Sequence, residues 1–178
     1  MSQSPTFTRT YNAVAKLLHW ALALLIVAQF VIAFLMPDVH KETKPVDLIA
    51  WHLSVGVTIL LLAILRVIWR VVRPPVTTGA EDGKQKRIAA ITHGLLYLGM
   101  LVIPVLGWAN ASWREWVVGL CSGFTLPSIL SHDVAWGHDV GDIHGLLAWG
   151  LLALIGLHVA AGLYHQIVLK DDTLVRMR

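Results

Sequence analysis

The chain has 178 residues, 56% of them hydrophobic and only 14% charged, with a formal net charge of +3. Such a composition excludes an ordinary soluble globule and gives no reason to expect a nucleic-acid partner. A single cysteine, Cys121, excludes an internal disulfide, a C-x-x-C-H haem attachment and a thiolate zinc cluster.

The start of the chain, MSQSPTFTRTYNAVAK, is polar, and the apolar segment after it is too long for a signal-peptide core. It is read as a retained membrane span at about 13–36, closed by Pro37 and the charged loop DVHKETKP. A second span is expected at about 46–69. Arg66, Arg70 and Arg73 crowd its end, and Pro74-Pro75 stop it. After the polar loop TTGAEDGKQKR a third span is expected at about 88–111, with a kink at Pro104. The long connection 112–142 contains VVGLCSGFTLPSIL, too short to span. With Trp113 and Trp116 beside it, it is expected to lie at the membrane interface. The fourth span, about 143–169, reads IHGLLAWGLLALIGLHVAAGLYHQIVL and carries no Asp, Glu, Lys or Arg. At 1.5 Å per residue it would be roughly 40 Å long. The expected fold is all-α: one membrane domain over 1–178, a transmembrane four-helix bundle.

Orientation follows from lysine and arginine. Eleven of the fourteen fall on one side: Arg9, Lys16, Arg66, Arg70, Arg73, Lys84, Lys86, Arg87, Lys170, Arg176 and Arg178. Lys41, Lys44 and Arg114 fall on the other. The bias predicts both termini in the cytoplasm, with the two remaining loops facing the periplasm of a bacterium.

Depth then sorts the histidines. His144, His158 and His165 are spaced by fourteen and seven residues. A step of seven returns to within about 20° of one direction, so all three share a face of the fourth span. His52 and His144 are the histidines embedded in the periplasmic half, which pairs them. His158 lies in the cytoplasmic half, where either His19 or His93 can face it. His40, His132 and His138 fall in the connections and are expected to be solvated. Paired neutral imidazoles from facing helices are what a b-type haem needs above and below its iron, and filling both positions favours electron transfer. The residue four after His19, His52, His144 and His158 is Ala23, Gly56, Ala148 and Gly162, small enough for a macrocycle. After His93 and His165 it is Tyr97 and Leu169. This favours His19 as the partner of His158. A lone intramembrane histidine can be no more than an interhelical hydrogen bond. Six at matched depths are much harder to explain that way. A histidine-lined metal or proton transporter usually carries acidic residues in its spans, and no span core here has one. Arg66, Arg70 and Arg73 are read as positive-inside anchors, with pairing of the outermost turn to haem propionates as the alternative, and Cys121 as filler.

The pieces LLHW around His19, IAWHLSVG around His52, RVIWR, THGLLYLGMLVIPVLGW, FTLP, IGLH around His158 and KDDTLVRM follow one another from Lys16 to Met177. In this order the chain resembles the bacterial cytochrome b561 family, small di-haem cytochromes of the inner membrane. The resemblance implies two haem b groups, held by His19 with His158 and by His52 with His144. It also implies ubiquinone as electron partner and a superoxide:ubiquinone oxidoreductase activity, with superoxide as the small periplasmic donor. The alternative it leaves is an anchor subunit passing electrons between a partner dehydrogenase or hydrogenase and the quinone pool. Arg114, Lys41 and Lys44 are the outer charges available to steer an anion. His165, two turns beyond His158, is the candidate quinone contact, with His93 as the alternative. A neutral imidazole at His165 would hydrogen-bond a quinone carbonyl and supply a proton.

Overall fold

A computed structural model describes residues 12–74, 83–120, 123–171 and 174. Arg9, Cys121, Asp172, Arg176, Arg178 and most of the polar loop after the second span lie outside the described residues. Four helices, α1 (Ala13–Leu35), α2 (Asp47–Val72), α3 (Gly83–Trp113) and α4 (Gly137–Tyr164), account for most of the rest. Each is long and apolar enough to cross a membrane.

Local chemistry sets the helix ends. Asn12 caps α1 by accepting from the Ala15 N–H at 2.8 Å, and its Oδ1 also accepts from the Trp69 indole at 3.1 Å. One side chain thus ties the start of α1 to the end of α2. Pro37 forces Met36 into extended backbone (φ −71°, ψ 150°) and stops α1. α3 runs continuously through Pro104. α4 begins six residues earlier than the apolar run, at Gly137, because its first turns stand clear of the most apolar stretch and tolerate His138, Asp139 and Asp142. His138 is therefore helical, not in a connection as the sequence suggests. At its far end α4 continues into a π-helical turn, His165–Leu169, closed by Lys170 in the left-handed region (φ 52°).

α1 packs on α2, α2 on α3 and α3 on α4, whereas α1 and α4 leave a seam between them. The up-and-down order brings the start of α1 and the end of α4 to one end of the bundle, the terminal end. The connections 36–46 and 114–136 lie at the other, the loop end. Fewer than a third of the residues in the most apolar stretch of any helix are buried inside the bundle. The remaining apolar side chains, such as Leu24, Val71 and Leu146, face outward, an arrangement that lipid satisfies and water does not. Leu22, Ile59, Ala63 and Met100 form the central core.

The connection after α3 folds over the loop end. Gly119 and Thr125 form an antiparallel bridge, and Ser54 on α2 donates to the Gly119 carbonyl at 2.9 Å. Val118 is buried against Val57 and Ala111, so this segment caps the bundle. α4 approaches α3 closely here because Gly137 and Gly141, one turn apart, lie against Trp113 and Asn110, which a side chain at either position would overlap.

Candidate functional site

Two groups of imidazoles line the inside of the bundle, one toward each end. At the loop end His52 of α2 faces His144 of α4, with ring centres 6.1 Å apart and planes at 79°. They border a cavity of about 360 Å³ with Phe34 and Trp149 at the α1–α4 seam. The Nδ1 of His144 lies 2.9 Å from the main-chain oxygen of Ile103. A carbonyl only accepts, so Nδ1 carries the proton and Nε2 keeps its lone pair. His52 has a fully buried Nδ1 with no partner among the described residues, which leaves its Nε2 as the atom able to serve the cavity.

Gly107 makes this possible. An added Cβ there would stand 2.9 Å from Cε1 and 3.1 Å from Nδ1 of His144. The Gly107→Ala protein should lose about 1–3 kcal/mol through overpacking, read as a fall in Tm. Gly150→Ala is the control. Its Cβ meets nothing within 4 Å, so it should be neutral or gain from the better helix propensity of alanine.

At the terminal end three imidazoles converge. His158 of α4 has its ring centre 6.5 Å from His19 of α1 and 5.4 Å from His93 of α3. Two metal–imidazole bonds of about 2 Å, with each ring centre about 1 Å behind its nitrogen, put ring centres ~6 Å apart across one metal ion. The His52–His144 and His19–His158 pairs match that span, and His93–His158 is shorter. Both partners left open for His158 are thus adjacent to it, with His19 at the better distance.

Arg66 and Arg70, positive-inside anchors by their position in the sequence, both turn toward the bundle. The Arg66 Nη1 donates to the Ala15 carbonyl at 2.8 Å, and its Nη2 lies 3.3 Å from His19 Nδ1. The two guanidinium carbons sit 6.0 and 5.6 Å from the Tyr97 ring centre. A guanidinium only donates, so the polarity at His19 is the reverse of that at His144. A metal on His19 Nε2 would put a proton on Nδ1 and require this contact to loosen.

The remaining candidates are scattered. His165 stands on the π turn with its Nδ1 2.5 Å from Asp171 Oδ2. The carboxylate accepts, so Nδ1 holds the proton and the neutral ring presents Nε2 as an acceptor. Through Nε2 the donor form is therefore the imidazolium, not the neutral ring expected from the sequence. Beside it, Gln166 has a fully buried Oε1 that finds no partner among the described residues. Lys41 and Lys44 are exposed, but Arg114 is not a free charge. It donates to Asn110 Oδ1 at 3.2 Å and to the His40 carbonyl at 3.1 Å, and lies over Trp113 and Trp116. His132 stacks on Trp113 and its Nδ1 donates to the Trp113 carbonyl. Sequence reasoning missed Gln29, Gly107 and the inward turn of Arg66. An isolated amide in an apolar span was a legible signal for Gln29, and nothing marked Gly107 among the other glycines.

A lipid-embedded helical bundle with paired imidazoles at two levels is the frame of a membrane cytochrome, an electron-transfer protein holding b-type haem. Residues 10–178 match the family model for prokaryotic cytochrome b561. The chain belongs to the prokaryotic cytochrome b561 family, as a multi-pass protein of the bacterial cell membrane. It is similar to "Cytochrome b562" of Cereibacter sphaeroides, 30% identical with 99% of this chain and 98% of that one covered. It is similar to "Cytochrome b561 homolog 2" of Escherichia coli (strain K12), 27% identical with 97% and 94% covered. "Probable superoxide oxidase CybB" of Yersinia pestis is 27% identical with 95% and 96% covered.

The residues present fit haem. At the loop end they supply a cavity, two imidazoles at the required separation, one ring with its tautomer already set, and a glycine that admits that ring.

Proposed function

We propose that this protein carries electrons across the membrane from a one-electron donor at the loop end to ubiquinone, through two haem b groups. The carrying observation is the pair of imidazole couples, 6.1 and 6.5 Å between ring centres, toward opposite ends of one bundle. His52 and His144 hold the loop-end iron, and His19 and His158 the terminal-end iron. Haem supplies a one-electron couple at each level. The chain's own part would be to hold the facing imidazoles at that separation inside an apolar bundle and to set the charge around them. Lysine and arginine bias supports both termini in the cytoplasm and the loop end in the periplasm.

Superoxide is the proposed donor, supported by similarity to the probable superoxide oxidase. Two superoxide ions each give up one electron and leave as dioxygen. One ubiquinone takes the two electrons and two protons and leaves as quinol. Protons taken from the cytoplasm would enter through the His165–Asp171 pair at the terminal end. Exposed apolar Ile167 and Val168 beside it suit a ring arriving from lipid.

The test is a purified preparation with haem quantified per chain, reduced by superoxide and reoxidised by added ubiquinone. Two low-spin haems and quinone-dependent turnover are expected, and a colourless preparation after haem-replete expression would end the reading. The same assay checks the steering charges. The Lys41→Gln/Lys44→Gln variant should reduce more slowly at low salt, with a flatter salt dependence, because an anionic donor is guided over about a Debye length. Arg114→Gln should add a fall in Tm, since that guanidinium also holds His40 and Asn110. A wild-type rate indifferent to salt and to both lysines would remove steering from the proposal.

A further inference from the structure

Two polar atoms near the loop-end cavity are fully buried and find no partner among the described residues, Oε1 of Gln29 and Nδ1 of His52. They belong to residues already in contact, because Gln29 Nε2 donates to the main-chain carbonyl of His52 at 3.0 Å. That bond settles the amide: its NH2 must face the His52 carbonyl, so its free end is the acceptor. A metal on His52 Nε2 would put the proton on Nδ1, and the leftover atoms would then be a donor and an acceptor on neighbouring residues. Gly56, one turn beyond His52, leaves the amide its room. A Cβ at that position would meet Gln29 Nε2 at 3.4 Å. Gln29 is the only amide side chain in α1, set among leucine, isoleucine, valine and alanine. A lone amide in an apolar helix is costly without a partner, which argues for a specific role.

We propose that Gln29 is the positioning residue of the loop-end iron ligand. With His52 Nε2 on the iron, a small rotation of the amide would let Oε1 accept the Nδ1–H of His52, as the Ile103 carbonyl already accepts that of His144, and would keep His52 Nε2 turned into the cavity. The inference rests on His52 and His144 as the ligands of the loop-end haem. A metal-bound imidazole whose other N–H is held by an acceptor is more electron-rich and keeps one orientation. Gln29 thereby stabilises the ferric state of the loop-end haem and leaves the terminal-end haem untouched.

The experiment is a redox titration of the full-length holoprotein together with its low-spin ferric EPR spectrum, the loop-end signals being assigned by their absence from His144→Ala. Gln29→Leu should raise the loop-end midpoint potential, changing the equilibrium constant for reduction by about threefold to tenfold, tenfold being about 59 mV for one electron. The loop-end g values should move and those of the other haem should not. Gln29→Glu keeps an acceptor and strengthens it, so it should shift the same potential downward. Unmoved potential and g values in Gln29→Leu with both haems present would overturn the proposal, as would shifts of the same sign in both variants. Should Gln29→Leu lose the loop-end haem, Gln29→Glu decides: a lowered potential supports the proposal and an unchanged one overturns it. Wild-type protein with a single haem per chain overturns the ligand assignment beneath the proposal, a different result from any of these.

Discussion

Replacing either His52 or His144 with alanine should halve the haem content and leave the terminal-end haem spectroscopically intact. The two rings come from different helices and share one cavity, and among the described residues no third histidine lines it. His144 is fixed from both sides, by its bond to Ile103 and by contact with Gly107, so its loss also leaves a carbonyl and a hollow behind. The expected change is complete loss of one low-spin signal, read by haem per chain and by EPR. The reciprocal experiment at the terminal end is more discriminating, because three imidazoles converge there. His19→Ala or His158→Ala should remove that haem, while His93→Ala should keep it. Retention of two low-spin haems in His19→Ala with loss in His93→Ala would transfer the ligand role to α3.

The second large effect is expected from His165→Ala. Haem reduction from the loop end should survive, and reoxidation by added ubiquinone should slow by roughly 10² or more, the usual scale for losing a positioned proton donor. His165 lies two turns past His158, roughly 10 Å along the helix, too far to ligate the same iron. Its Nδ1 is engaged by Asp171, which leaves Nε2 as the atom that would face a bound ring and makes Asp171 the residue that would orient it. Asp171→Asn should therefore slow quinone reduction in the same direction but less severely, with both haems at full occupancy. Unchanged quinone kinetics in His165→Ala would move the site elsewhere, and His93 is the next residue to test.

The residues decided a large part of this protein without help from packing. Apolar runs interrupted by Pro37, Pro74 and charged loops determine the four helices, because a span needs about twenty apolar residues and a proline ends it. The seven- and fourteen-residue spacing of His144, His158 and His165 placed them on one face, since seven residues are close to two helical turns. The same spacing rules say which end each histidine lies toward, and so which can meet.

Tertiary structure alone decided what depends on helix rotation and approach. Gly107 is one of fourteen glycines, and only the packing of α3 on α4 shows that His144 lies against it. The inward direction of Arg66 and Arg70 was not legible, because charge counting registers which membrane side a residue lies on and not which way it points. Asp171 reached His165 only because the last turn of α4 widens into a π turn and Lys170 reverses the chain. Gln29 needed the structure most. A single amide can be noticed in the sequence of α1, but its bond to the His52 carbonyl depends on how α1 and α2 are rotated against each other, and no periodicity within either helix encodes that angle.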